Sequence, residues 1–146
     1  MSERLAEFVE LHAPEEKLRL VCTYAQRCYE AGQTVAIYAP DPAEARDLDG
    51  LLWTFAQNAF IPPVRMEGAG EPLLEPVLIF SGEPGEAGSD VLILCAEGEM
   101  PGWFTRFERL YDFAAVYDDR LREAGRKRFA ACRQAGYPVR FTRRKT

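Results

Sequence analysis

Residues 91 to 96 are Val91-Leu92-Ile93-Leu94-Cys95-Ala96, a stretch that is apolar at every position and shows no alternation of polar and apolar residues. Such a run is typical of a strand in a parallel sheet whose two faces are both covered by helices. The run from Val77 to Phe80 has the same character. The two runs therefore predict the buried centre of a mainly parallel sheet.

Strand-like and helix-like segments alternate on both sides of these runs. The predicted strands are Ala6–Leu11, Thr34–Ala39, Val77–Phe80, Val91–Ala96 and Tyr111–Tyr117. Helices are predicted from Pro14 to Gly32, from Asp41 to about Phe55, around Trp103 to Leu110, and from Asp118 to about Gln134. The segment from Ile61 to Pro72 is rich in Pro and Gly and is predicted as a loop. This alternation predicts an α/β layered fold, and 146 residues fit one domain, residues 1–146.

Composition excludes several classes of protein. Apolar residues make up 47% of the chain without any low-complexity segment, so the chain is expected to fold. The longest apolar runs are far shorter than the roughly 20 residues that span a bilayer. No export signal is visible at the first residues, and a cytoplasmic protein is expected. The cysteines have neither Cys-x-x-Cys spacing nor a histidine cluster, which predicts reduced core residues and no metal site.

Nucleotide binding is common in α/β folds and uses glycine-rich turns after the strands. The first two strand-to-helix turns read His12-Ala13-Pro14 and Pro40-Asp41-Pro42, and neither contains a glycine. The loop Gly82–Gly88 is rich in glycine but contains two glutamates and no lysine, so it would repel phosphate. No nucleotide-binding loop and no cofactor are expected.

Catalysis finds no support in the motifs. There is no Gly-x-Ser-x-Gly, and the single histidine, His12, lies at a predicted helix entry without a nucleophile beside it in sequence. The acidic pairs Glu15/Glu16 and Asp118/Asp119 stand at helix starts, where the helix dipole favours negative charge. The sequence therefore predicts a protein without intrinsic enzymatic activity.

Positive charge is concentrated at the end of the chain. Residues 120–146 contain ten Lys and Arg against one Glu, a net charge of +9, whereas the preceding residues carry 8 basic and 22 acidic side chains, a net charge of −14. A division of this kind usually has an anionic partner for its positive end.

One face of the predicted last helix combines this charge with an aromatic ring. Its members follow helical spacing at i, i+4, i+7 and i+11 and are Arg122, Arg126, Phe129 and Arg133. The side toward the sheet is predicted to consist of Leu121, Ala124, Ala131 and Ala135. Guanidinium groups bind carboxylates through paired hydrogen bonds. The face therefore fits an acidic peptide that ends in an aromatic residue, since ring and terminal carboxylate can be held together.

Two other interpretations of the basic end remain open. The face is equally consistent with an ordinary solvated, charged helix surface. Alternatively, the chain binds single-stranded nucleic acid directly, and the phosphate-binding residues are then Arg140, Arg143, Arg144 and Lys145. Against this, only Phe129 and Tyr137 are available for base stacking, and the acidic remainder would repel a long phosphate backbone.

A second cluster of large apolar residues runs from Leu51 to Pro63, at the end of the second helix and in the loop after it. Trp53 and Phe60 either pack on the sheet edge as core residues or form an exposed patch for a protein partner. Spacing alone does not decide between the two.

Six short blocks of sequence together carry a family resemblance: Leu51-Leu52-Trp53, Phe60-Ile61-Pro62, Asp112-Phe113, Tyr117-Asp118-Asp119, Arg126-Lys127-Arg128-Phe129 and Arg133-Gln134-Ala135-Gly136-Tyr137. In these blocks the chain resembles the chi subunit of bacterial DNA polymerase III. Each block alone is weak, but their order and spacing together are fairly specific. The pattern of predicted elements agrees with the family over almost the whole chain.

The resemblance implies a Rossmann-like three-layer fold without nucleotide chemistry. It also implies a non-catalytic clamp-loader accessory protein that binds the acidic C-terminal tail of single-stranded DNA-binding protein and so contacts nucleic acid indirectly. The tail-binding residues implied are Arg122, Arg126, Phe129 and Arg133. A second surface, for the psi subunit or an iron–sulfur helicase, is implied at Trp53, Phe60 and Pro62.

The chain departs from the family pattern at two positions. Pro63 stands where many members have His, which leaves the identity of the second partner open. Phe129 stands where many have Tyr; the ring is kept and only the hydroxyl is lost, so tail binding is expected to persist.

Overall fold

The computed structural model of the chain describes residues 4–59, 63–66, 77–82, 90–95 and 97–143. These residues contain seven β-strands, three α-helices and two short 3-10 helices. The strands are β1 (Leu5–Leu11), β2 (Val35–Tyr38), β3 (Pro63–Met66), β4 (Val77–Phe80), β5 (Val91–Leu94), β6 (Arg109–Ala115) and β7 (Val139–Thr142). The α-helices are α1 (Lys17–Glu30), α2 (Pro42–Ala59) and α3 (Asp119–Gln134), and the 3-10 helices are Pro14–Glu16 and Gly102–Arg106.

All seven strands belong to one sheet in the order β3-β4-β2-β5-β6-β1-β7, and every described pairing is parallel. The two apolar runs form β4 and β5, which flank β2 near the centre of the sheet. Every residue of β4 and β5 is buried. The predicted α/β class and the mainly parallel sheet are therefore confirmed.

Helices cover both faces of the sheet. One core cluster joins α1 and α2 to strand residues such as Ile37 and Ile93. The other core cluster joins α3 and the 3-10 helix Gly102–Arg106 to Ala36 and Leu92. These two residues directly precede Ile37 and Ile93 on the same strands. Successive side chains of a strand point to opposite faces, so continuous apolar runs supply both cores. The predicted three-layer arrangement is confirmed.

The two edge strands, β3 and β7, have no counterpart in the sequence prediction. β3 begins at Pro63, inside the segment predicted as a loop, and a proline is tolerated at the first residue of an edge strand. The residues of β7 are all exposed or only partly buried, so no apolar run marks this strand. Edge strands lack the apolar pattern that reveals central ones.

Smaller differences concern the ends of elements. α2 continues to Ala59, beyond the predicted end near Phe55. The helix predicted around Trp103 is a single 3-10 segment, and Leu110 already belongs to β6. The glycine-rich loop after β4 lies almost entirely outside the described residues.

Lys17 of α1 contacts acids on the two connections that follow β2 and β5. Helix α2, after β2, packs on one face of the sheet, and the 3-10 helix after β5 packs on the other. In α/β folds, nucleotides bind where the connections of neighbouring strands diverge in this way. The Lys17 Nζ lies 3.2 Å from both carboxylate oxygens of Glu44 and 3.3 Å from Oε1 of Glu97, one acid from each connection. These carboxylates neutralise the lysine and would repel an approaching phosphate.

Two kinds of structure are absent from the part of the chain that the structure describes. None of the helices found there is long and apolar enough to cross a membrane. Over the same residues, no group of three or more His, Cys, Asp or Glu side chains lies close enough together to hold a metal ion.

The four cysteines are buried and carry free thiols, as the sequence predicts. Burial raises the pKa of Cys28 to about 11 and the pKa values of the other three thiols, Cys22, Cys95 and Cys132, to about 12. Because the thiolate is the reactive form, we expect no reaction with a disulfide reagent such as Ellman's reagent in the native protein at neutral pH. All four should react in denaturant. Rapid modification of one thiol in the native state would contradict the burial described.

Candidate functional site

Helix α3 is fixed at its start by an N-cap, as predicted. The Asp118 side chain accepts a hydrogen bond from the backbone N–H of Leu121 at 3.0 Å, and Asp119 adds a negative charge in the first turn. The helix ends before Gly136, which adopts a positive φ of 91°. Because α3 begins directly after β6, its first turns lie beside the carboxyl end of that strand.

The inward face of α3 differs from the prediction. Gly125, Arg128 and Cys132 are the buried residues of the helix, whereas the four predicted inward residues, Leu121, Ala124, Ala131 and Ala135, are only partly buried. The buried residues recur at helical spacing one position before Arg126, Phe129 and Arg133. The predicted binding stripe therefore lies about 100° around the helix from the buried face. It borders the sheet instead of pointing away from it.

Arg128 is a core residue and does not belong to the free positive charge of the chain end. Its side chain is 3% exposed, and its Nε donates to Oδ2 of Asp112 at 2.6 Å. Nη1 donates to the carbonyl of Gly98 at 2.8 Å, while Oδ1 of Asp112 accepts the backbone N–H of Phe113 at 2.7 Å. The pair is thus satisfied on both sides inside the protein.

A cavity of about 460 Å³ opens between α3 and the edge of the sheet, and we call it the α3 pocket. Its lining residues are Phe8, Ala114, Ala115, Val116, Arg122, Gly125, Arg126, Phe129 and Phe141. Apolar side chains and backbone form most of this lining, with two arginines and none of the described acids. The pocket combines positive charge with an apolar interior.

Aromatic rings build the interior of the α3 pocket from three elements. Phe129 of α3 packs against Phe8 of β1, with ring centroids 5.2 Å apart. Phe8 is in register with Phe141 of β7, so both side chains project from the same face of the sheet. Phe129 is therefore partly buried in a wall of the pocket and is not a freely exposed ring.

The two guanidinium groups at the pocket are held differently. Nη2 of Arg122 donates to the carbonyl of Val116 at 2.5 Å, which fixes Arg122 at the end of β6. Arg126 is 72% exposed, and its Nη1 lies 3.8 Å from Oε2 of Glu123, one turn earlier on the helix. Such a long, exposed contact is weak, so Arg126 is available to an incoming anion.

Arg133 does not line the α3 pocket. It lies on a second cavity, of about 410 Å³, whose lining is Phe129, Ala130, Arg133 and Gln134. The structure thus brings Arg122, Arg126 and Phe129 together, as predicted, and places Arg133 in a neighbouring depression that shares Phe129.

The second predicted surface is described only in part. Trp53 lies on α2 and is 55% exposed, although the preceding Leu52 is fully buried. The interpretation of Trp53 as a core residue is therefore wrong, and the alternative of an exposed patch agrees with its position. Phe60 and Pro62 lie outside the described residues, so their part in this surface stays a prediction.

Phe141 is one of the pocket residues that were not predicted from the sequence. It is 43% exposed. Among the described residues, the exposed large hydrophobic ones are Trp53 and Phe141. The signal that could have revealed it is the pattern Val139-Arg140-Phe141-Thr142, which alternates apolar and polar residues with the period of a strand.

The chain is similar in sequence to one protein family over most of its length. The model of the family described as DNA polymerase III chi subunit, HolC, matches residues 4–140. A relative from Pseudomonas aeruginosa PAO1 named DNA polymerase III subunit chi is 33% identical over 126 residues, which cover 86% of this chain and 85% of the relative. A relative of the same name from Escherichia coli K12 is 28% identical over 119 residues, covering 82% and 80% of the two chains.

Proposed function

This chain belongs to the family of the DNA polymerase III chi subunit, and on that premise we propose that it binds the acidic C-terminal tail of single-stranded DNA-binding protein. In this role it is a non-catalytic accessory subunit that links the clamp-loader complex of the replicase to coated single-stranded template. The proposal includes a cytoplasmic location, since chromosomal replication takes place there in bacteria.

The chemistry of the α3 pocket is the observation that carries the proposal. A peptide that ends in an aromatic residue presents a ring and a carboxylate on the same residue. The pocket offers an apolar interior, with Phe129 in its wall, beside the guanidinium groups of Arg122 and Arg126. Charge-assisted hydrogen bonds to the carboxylate and burial of the ring can therefore form together. Further acidic residues of the tail would meet the remaining basic side chains of α3.

Direct binding of single-stranded nucleic acid is the competing function, and two local features weigh against it. Tyr137 is buried with the Arg4 guanidinium 5.0 Å from its ring centroid, so this ring is not available for base stacking. Nη1 of Arg140 lies 3.7 Å from Oε1 of Glu7, which places a carboxylate beside one of the candidate phosphate ligands. Of the other three candidate residues, Arg143 is described and exposed, while Arg144 and Lys145 lie outside the described residues.

Two titrations with the full chain distinguish these functions. A fluorescent acidic peptide with a C-terminal Phe is titrated and followed by anisotropy, and a labelled single-stranded oligonucleotide is tested by gel shift without any other protein. We expect saturable binding of the peptide, no retardation of the bare oligonucleotide by this chain, and a further retardation by this chain of the oligonucleotide already coated with single-stranded DNA-binding protein. Tight binding of the bare oligonucleotide together with no peptide binding would establish the competing function.

Trp53 supports the second part of the proposal, a docking surface for another protein of the replisome. A tryptophan exposed on a helix is typical of the anchors found at protein interfaces. The partner proposed is the psi subunit or, alternatively, an iron–sulfur helicase. We predict that Phe60 and Pro62 also belong to this surface. It lies on α2, whereas the α3 pocket lies on the helix that covers the other face of the sheet.

The contact between Arg126 and Glu123 leads to a prediction of stronger binding. In the free protein the Glu123 carboxylate competes with the ligand for Arg126 and repels acidic residues of the tail. Replacing Glu123 with Gln should therefore increase the affinity for the acidic peptide by about two- to fivefold, the range expected from an exposed ion pair. The measurement is peptide anisotropy at low salt.

The control for this prediction is Glu99→Gln. Glu99 is an exposed acid on the connection after β5 and does not line the α3 pocket. An equal gain in Glu99→Gln would show that net charge alone is responsible, and an unchanged affinity in Glu123→Gln would contradict the competition for Arg126.

A further inference from the structure

We propose that Phe141 determines the specificity of the α3 pocket for an aromatic last residue, because it forms the sheet-side wall against which the ring of that residue packs. The inference rests on the proposed function and concerns which side chain the pocket selects. It assigns a role to an edge-strand residue outside the stripe on α3.

The position of Phe141 is unusual for an edge strand. Strands at the edge of a sheet normally carry polar or charged outward residues, since an exposed apolar edge invites aggregation. Phe141 is nevertheless 43% exposed, and it lines the α3 pocket together with Phe8 and Phe129. When a ligand covers an exposed ring that borders an apolar cavity, apolar surface is removed from water, and exposed apolar surface of this kind marks binding sites.

The register of the sheet fixes the direction in which Phe141 points. β7 pairs with β1 so that Phe141 is opposite Phe8, and the Phe8 ring lies 5.2 Å from the Phe129 ring. Phe8 therefore forms the floor of the pocket, Phe129 the wall on the helix and Phe141 the wall on the strand. A ring that enters between the two walls can make edge or tilted contacts with both, which aromatic pairs prefer.

Charge at the same pocket selects the occupant. Arg122 and Arg126 lie among the lining residues and supply positive charge to a mostly apolar cavity. A ligand that satisfies both parts has a carboxylate next to an aromatic ring, as the C-terminal residue of an acidic peptide does. An internal aromatic residue lacks the terminal carboxylate, and an aliphatic last residue lacks the aromatic contacts.

The test is a double-mutant cycle between Phe141 and the last residue of the ligand. Two acidic peptides that differ only in ending with Phe or Ala are titrated into the wild-type chain, Phe141→Ala and Phe141→Thr. Threonine has a high strand propensity, so Phe141→Thr removes the ring while the strand is retained. It therefore shows whether a loss in Phe141→Ala comes from the missing ring or from a folding defect. Thr142→Ala is the control, because its neighbour position places the side chain on the other face of β7.

We expect each Phe141 variant to weaken binding of the Phe-ended peptide by about fivefold and to change binding of the Ala-ended peptide by less than about twofold. Thr142→Ala should bind both peptides as the wild type does. Equal losses for both peptides, or no loss for the Phe-ended one, would overturn the role of Phe141. A wild-type chain that binds neither peptide would instead overturn the proposed function, so the two failures are distinguishable.

Discussion

Replacement of Arg128 by alanine is expected to lower the free energy of unfolding by about 3–5 kcal/mol, the cost of leaving a buried charge without its partner. Arg128 and Asp112 are both almost completely buried and are joined at 2.6 Å. Without the guanidinium, the Asp112 carboxylate keeps one backbone hydrogen bond from Phe113 and no opposite charge at contact distance among the described residues. The carbonyl of Gly98 loses a donor as well.

Urea denaturation followed by circular dichroism measures this loss. Lys127→Ala is the matched control, since Lys127 is the exposed neighbour on the same helix, and its effect should stay within about 0.5 kcal/mol. A double variant, Arg128→Met with Asp112→Leu, should recover most of the lost stability because both charges leave the core together. A loss below about 1 kcal/mol in Arg128→Ala would contradict a buried ion pair.

The second large effect is expected on binding. Replacement of Arg126 by alanine should lower the affinity for the acidic peptide by about tenfold or more, because each guanidinium–carboxylate contact contributes about 1.5–3 kcal/mol. The stability of the protein should hardly change, since Arg126 is 72% exposed and makes only the 3.8 Å contact with Glu123. Arg126 and Arg128 therefore have opposite phenotypes although they are two positions apart.

Fluorescence anisotropy of the labelled peptide, at two salt concentrations, tests this prediction. Wild-type affinity should fall as salt rises, because charge contributes directly to binding. Lys127→Ala again serves as control: Lys127 is exposed on the same turn but lines a different depression, away from the α3 pocket. If Arg126→Ala binds as tightly as Lys127→Ala, Arg126 is not the carboxylate ligand.

The centre of the fold could be predicted from the sequence because burial on both faces imposes a simple pattern. β4 and β5 are apolar throughout, as strands covered on both faces of a parallel sheet are, and their length of four residues each favours strands over helices. The start of α3 was equally predictable, since Asp118 is a typical N-cap residue in a fitting position. The edge strands β3 and β7 do not share these signals, since neither is a continuous apolar run, and the residues of β7 are exposed or only partly buried.

The orientation of α3 could not be predicted for a specific reason. Its buried residues are Gly125, Arg128 and Cys132, and of these only the cysteine is apolar. The sequence does not show whether an arginine is buried or exposed. Arg128 is identified as buried only by its ion pair with Asp112 on β6, which the structure shows.

Three residues of the predicted stripe, Arg122, Arg126 and Phe129, line the α3 pocket, whereas Arg133 does not. The wall on the strand comes from Phe141 of β7. A strand that was not predicted could not contribute a site residue.

We expect an acidic peptide with a C-terminal aromatic residue to bind in the α3 pocket. Nuclear magnetic resonance locates the bound peptide by mapping amide and indole shifts of the labelled full chain during titration with the Phe-ended peptide. Progressive shifts are expected at Arg122, Arg126, Phe129 and Phe141, with the Trp53 indole unaffected. Shifts centred on Trp53, with the pocket residues unchanged at saturation, would show that the peptide binds on α2 and not in the α3 pocket.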